Sequence, residues 1–67
     1  MSDKKMVSKQ LIKNIAQHCA NWSYLHLKSV GNVADTDALE ISQDIGNIAG
    51  ARASLGLRER DYPIENE

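Results

Sequence analysis

The side chains that could ligate a soft metal or act as a nucleophile are His18, Cys19 and His26. All three fall in one stretch, LIKNIAQHCANWSYLHL at residues 11–27, which also holds the only Trp. Two imidazoles and a thiolate suit Zn, but on a helix His18 and His26 stand roughly 12 Å apart along the axis at 1.5 Å per residue. One ion with ligand bonds of about 2 Å cannot span that, so no metal is expected and both His read as core-edge residues that hydrogen-bond locally. A nucleophilic Cys19 would need a base and an orienting group. Its neighbour His18 projects about 100° away around the helix, so a buried thiol is expected. Asp35, Asp37 and Glu40 form an acidic cluster, but they precede an apolar run, where acids complement a helix N-terminus. The chain holds no Gly-rich phosphate loop, no Ser-His-Asp order and no paired catalytic carboxylates. Neither an enzyme nor a cofactor is expected.

The element that must position these residues is a helix. With Leu11 at zero and about 100° per residue, Val7, Leu11, Ile12, Ile15, Ala16, His18, Cys19, Trp22, Ser23, Leu25, His26 and Val30 share an arc roughly 180° wide. Gln10, Lys13, Asn14, Gln17, Asn21 and Lys28 lie opposite. Adjacent pairs such as Leu11 and Ile12 break the alternation a strand would need. A helix facing one core needs a stripe of only about 100°, so a second packing partner is expected.

At 67 residues the chain is at most one domain, and chains this short gain stability from a disulfide, a metal or oligomerisation. A lone cysteine excludes a disulfide within the chain. There is no Phe, one Pro and four Gly, a balance that favours an all-α protein. A net charge of −1 and a pI near 6.1 provide no global field to attract nucleic acid or an anionic membrane. No signal-peptide core or membrane span can be drawn through Lys13 and Asn14, and a reducing cytoplasm is the expected compartment.

Along the chain, Ser8 is the expected N-cap, with Ser2 as the alternative. Residues 1–7 are expected to be frayed. Lys4, Lys5 and Lys9 oppose the helix dipole, and Lys4 and Lys5 are candidates for contact with an acidic partner. The first helix, over about residues 8–30, should end where Gly31 or Asn32 takes a left-handed conformation. A short connector then makes the next helix antiparallel. That helix, over about residues 36–56, should be capped by Asp35, Thr36 or Asp37, with Asp37 and Glu40 at capping-box spacing.

On the second helix Ile41, Ile45, Ile48, Arg52 and Leu55 share a face, with Ala38 and Ala49 beside them. Next to it runs a row of small residues at i+4 spacing, Ser42, Gly46, Gly50 and Ser54. Each interior glycine costs about 1 kcal/mol relative to Ala, which predicts that another helix lies close against this row. Gly56, followed by Leu57, should stop the helix in a Schellman motif; the alternative is continuation through Leu57 to Asp61, with Pro63 ending any helix by about there. The tail, residues 57–67, is acidic at its end, and Tyr62 and Ile64 are expected to anchor it in part.

The run Ile41, Ser42, Ile45, Gly46, Ile48 and Leu55 resembles the helix-turn-helix DNA-binding signature over about fifteen residues. That resemblance implies a regulator with three helices, broken at Gly46 to Asn47, and phosphate contacts from Arg52, Arg58 and Arg60. The run departs from the family pattern at Arg52, which takes a position the family keeps apolar, and no basic recognition helix accompanies it.

The sequence therefore predicts an all-α protein, an antiparallel two-helix hairpin that dimerises into a four-helix bundle. Ile12, Ile15, Cys19, Trp22, Ile41, Ile45, Ile48 and Leu55 are its expected core and dimer-packing residues. The expected function is that of a small non-enzymatic interaction module, an adaptor or modulator of a larger host protein. The candidates for partner contact are Lys4, Lys5, Tyr24, Arg58 and Arg60. Short acidic chains without motifs are common among accessory proteins of phages and mobile elements. The alternative is a small DNA-binding transcriptional regulator acting through residues 41–60.

Overall fold

A computed structural model describes residues 4–65. It consists of two helices, α1 (Lys9–Ser29) and α2 (Asp35–Glu59), packed antiparallel in a rod measuring 50 × 17 × 13 Å. Ser8 caps α1, its Oγ accepting from the Leu11 N–H at 3.1 Å; Ser2, the alternative cap, lies outside the described residues.

The helices meet along a seam of small side chains. The four buried residues among those described are Ala38, Ser42, Gly46 and Gly50, one i+4 row on α2. They face Ile12, Ala16 and Ala20 of α1: a Cβ built on Gly46 would stand 2.8 Å from the Ala16 carbonyl oxygen and 3.0 Å from the Ala20 Cβ. Glycine is therefore what lets the two backbones approach this closely. Ser42 satisfies its buried hydroxyl by donating to the Leu39 carbonyl at 2.9 Å. Ser54 is half-buried at the end of the row, and Ala38, which the sequence pattern groups with the large apolar face, heads it instead.

The end of α1 follows the sequence expectation through its second candidate, and the start of α2 departs from it. At the end of α1 the left-handed residue is Asn32, with φ 53°, and Gly31 has negative φ. Gly31 is required for another reason, because a Cβ there would meet the Leu27 carbonyl oxygen at 2.9 Å. The N-cap of α2 is Ala34, with no side-chain cap bond. Asp35, Thr36 and Asp37 are already inside the helix, so the capping box is not formed. Moreover, α2 runs unbroken through Gly46 and Gly56 to Glu59. The turn of a helix-turn-helix is therefore absent from it.

The Schellman motif expected at Gly56 occurs five residues later. Asp61 takes φ 65°, the Tyr62 N–H donates to Leu57 O at 2.9 Å, and the Asp61 N–H donates to Arg58 O at 3.0 Å. Beyond it the tail pairs with residues 4–7 of the lead-in instead of leaving them frayed; residues 1–3 lie outside the described residues. Val7 N–H donates to Pro63 O at 2.8 Å and Glu65 N–H to Val7 O at 2.9 Å, a parallel bridge that joins Val7 and Ile64. Lys4 closes this clasp, its ammonium donating to Arg60 O at 2.6 Å and lying 4.6 Å from the Tyr62 ring centre.

Candidate functional site

Because the seam uses small residues, the large apolar residues are displaced to one flank of the rod. On α1 this flank carries Leu11, Ile15, Trp22 and Leu25, and on α2 Ile41, Ile45, Ile48 and Leu55. Trp22 is 64% exposed, Leu25 and Ile48 are each 59% exposed, and even Ile45 remains 38% exposed. None of the eight residues expected as core is buried within one chain; Ile12, Ile15 and Cys19 are half-buried and the other five are exposed. The reason is geometric. A core of Ile and Trp would hold the helix axes farther apart than the Gly46 contact allows.

The centre of the flank is an open hollow lined by His18, Cys19, Trp22, Ser23 and Ile45. Cys19 is thus half-buried at an apolar surface rather than enclosed. The His26 ring stacks on Trp22 with centroids 4.0 Å apart and planes at 28°, and its Nδ1 lies 3.2 Å from the Trp22 carbonyl oxygen. That contact holds the indole upright at the rim of the hollow. Among the described residues, no group of three or more His, Cys, Asp or Glu is placed to hold a metal ion.

The chain as a whole, an open rod of two helices, exposes a surplus of surface. A monomeric globular protein of 7.4 kDa exposes roughly 4200 Å² by the usual scaling with mass, whereas this chain exposes 5155 Å². The difference, roughly 950 Å², is close to the about 800 Å² that each partner contributes to a standard protein interface.

The opposite flank is mainly polar, although it also carries the exposed Leu39. Gln10 donates to Asn14 and Gln17 to Asn21, each at 3.0 Å along α1, and Gln43 and Asn47 of α2 line the same shallow groove. Tyr24, expected as an exposed partner contact, is half-buried at its upper end, where its hydroxyl donates to Asp35 Oδ1. Lys28 Nζ reaches the same oxygen at 2.9 Å. These bonds hold the Asp35 carboxyl below the usual carboxylate range, the Tyr24 hydrogen bond contributing most and Lys28 next. The same contacts raise Lys28, through its hydrogen bond to Asp35 and then Asp35's charge. Tyr24 is raised chiefly by its hydrogen bond to Asp35, with smaller contributions from burial and from that charge. Asp35 therefore ties the end of α1 to the start of α2 across the loop.

The other residues expected at a partner surface lie at the opposite end. Lys4 is engaged in the terminal clasp. Arg60 Nη1 donates to Gly56 O at 3.0 Å. Arg58 stands exposed in the last turn of α2, and Lys5 is exposed in the lead-in. The structure thus gathers most of the large apolar residues of the two helices into one surface and does not bring the basic candidates into it. Sequence reasoning missed the Tyr24, Lys28 and Asp35 cluster. Tyr24 is four residues before Lys28, and Asp35 opens the next helix, but only the path of the loop brings all three together.

Fold and surface define an all-helical hairpin with one covered seam and one uncovered apolar flank. Among the described residues no helix is long and apolar enough to cross a membrane. No protein-family model, curated protein or solved structure matches the chain.

Proposed function

We propose that this chain is a small non-enzymatic interaction module that works as a homodimer. Two hairpins close their apolar flanks into a four-helix bundle, and the dimer acts as an adaptor or modulator of a larger host protein, in the manner of phage accessory proteins. The observation that carries the reading is the flank of Leu11, Trp22, Leu25, Ile41, Ile45, Ile48 and Leu55, each at least 38% exposed in one chain. Contiguous apolar surface of that extent marks an interaction site. A helix pair with a covered seam and an open apolar face is also half of a four-helix bundle. The DNA-binding alternative has lost its structural premise, since α2 has no turn at Gly46 to Asn47.

Sedimentation velocity from about 1 to 100 µM, with indole emission followed across the same range, tests the dimer. The expected result is a 15-kDa-class species whose emission shifts to the blue as Trp22 leaves water. A monomer at every concentration, with red-shifted emission throughout, overturns it. Affinity capture from the native host, scored for one stoichiometric protein against recovered DNA, tests the adaptor role.

A further inference from the structure

Charge is divided sharply along the rod. If the hairpin is split at His18 on α1 and Gly46 on α2, seven of the eight Lys and Arg stand in the half that holds the termini, and only Lys28 stands in the loop half. The loop half also holds Asp35, Asp37, Glu40 and Asp44, giving it a net charge of −3, while the sequence on either side of it sums to +2. A chain with an overall charge near zero is thus a strong dipole along its length. Arg52 makes the asymmetry pointed, because it stands in the terminal half inside the apolar row of Ile41, Ile45, Ile48 and Leu55.

Two hairpins can close their flanks in two ways. A two-fold axis along the rod sets like ends side by side, basic against basic and acidic against acidic. A two-fold axis across the rod sets each end against its opposite. We infer that the second copy docks antiparallel, loop end over terminal end, with Trp22 of each copy seated against the hollow of the other beside Ile45. This rests on the homodimer reading above and adds its orientation. Knob and hollow lie at the same height on one flank, so reciprocal insertion closes on itself as a dimer and does not propagate into a fibre. Antiparallel docking also brings Arg52 over the acidic half of the second copy, which accounts for a cation in an otherwise apolar row. Complementary charge fixes register and partner choice in this manner.

The full chain in low salt provides the test. The dimer Kd, read by sedimentation or by Trp22 emission, is expected to rise several-fold between 20 and 300 mM NaCl, as the attraction between opposite ends is screened. A Kd that stays level or falls overturns antiparallel docking while leaving the dimer intact; a chain that never dimerises overturns the homodimer reading itself. Arg52→Glu, with helicity checked by circular dichroism, sharpens the sign. Antiparallel docking predicts a Kd at least tenfold higher at 20 mM NaCl, whereas a tighter or unchanged dimer refutes it.

Discussion

The seam and the flank of this hairpin invert the usual distribution of residue sizes. The seam buries Ala38, Ser42, Gly46 and Gly50, while the flank exposes Trp22, Leu25 and Ile48. Burying small residues removes little apolar area, so the seam contributes little hydrophobic free energy at about 25 cal/mol per Å². What it provides is close approach, which aligns the large residues of both helices on one side. The seam is therefore intolerant of added volume, and the flank is intolerant of lost volume.

The largest effect is expected at Gly46. Gly46→Leu forces a side chain toward the Ala16 carbonyl oxygen, a backbone atom that cannot step aside. A loss of about 3 kcal/mol or more is expected, at or beyond the upper end of ordinary overpacking, enough to abolish a cooperative melt by circular dichroism. Gly50→Ala is the control within the same seam. Its new Cβ meets the Ala16 methyl at 3.3 Å and touches Ile12 Cγ2 at an ordinary 4.0 Å, so the mild crowding offsets a helix-propensity gain of about 1 kcal/mol. A melting temperature near that of the parent is expected. An equal collapse in both variants would mean that the seam is not set by the Gly46 contact.

On the flank the expectation reverses. Trp22 is mostly exposed within one chain, so Trp22→Ala should leave the hairpin's helicity intact. As the central anchor of the proposed dimer its loss should cost about 2 kcal/mol or more, roughly thirty-fold in Kd. A dimer unaffected by Trp22→Ala would move the interface away from this flank.

The contrast also explains what could be read from the sequence. Helix α1 and its Ser8 cap follow from periodicity and cap chemistry, which are local. The row of Ser42, Gly46 and Gly50 could be picked out because interior glycines have no other helical rationale. It was harder to see that Ile41, Ile45 and Ile48 would stay uncovered, since hydrophobicity marks residues that want burial without saying which chain supplies it. The ends were least legible. Asp61 replaces Gly56 as the left-handed stop because the Val7 and Ile64 bridge extends the ordered structure past Pro63, and that pairing spans almost the whole sequence.

A smaller effect of opposite sign is expected at Gly56, which lies outside the seam. The nearest atom to a Cβ there is Arg60 Nη1 at 3.6 Å, the end of a flexible side chain. Gly56→Ala should therefore stabilise the chain by about 0.5–1 kcal/mol, through the lower unfolded-state entropy of alanine. A loss of stability in urea melts would show that the last turn of α2 needs glycine after all.

The smallest expected effect separates the loop cluster from the helix dipole. Asp35 is held below its usual range, so its contribution is present above its unfolded value and is lost as pH falls through the folded one. Lys28 and Tyr24 are raised, so theirs are present below their unfolded values and are lost as pH climbs through the folded ones. Stability should be flat between these limits and fall at both. The acid limb alone is ambiguous, because a carboxylate in the first turn of α2 also interacts with the helix N-terminus. The alkaline limb is not, since the dipole does not titrate there while Tyr24 and Lys28 do. Tyr24→Phe should therefore lower the melting temperature at neutral pH, flatten the decline above about pH 10 and shrink the acid limb, since the Tyr24 hydrogen bond is the largest cause of the Asp35 depression, leaving the part due to Lys28 and the helix N-terminus. Because both bonds to Asp35 lie at the surface, the difference should shrink in high salt. A variant that loses stability equally at every pH would mean that the ring of Tyr24, and not its bond to Asp35, holds the loop end.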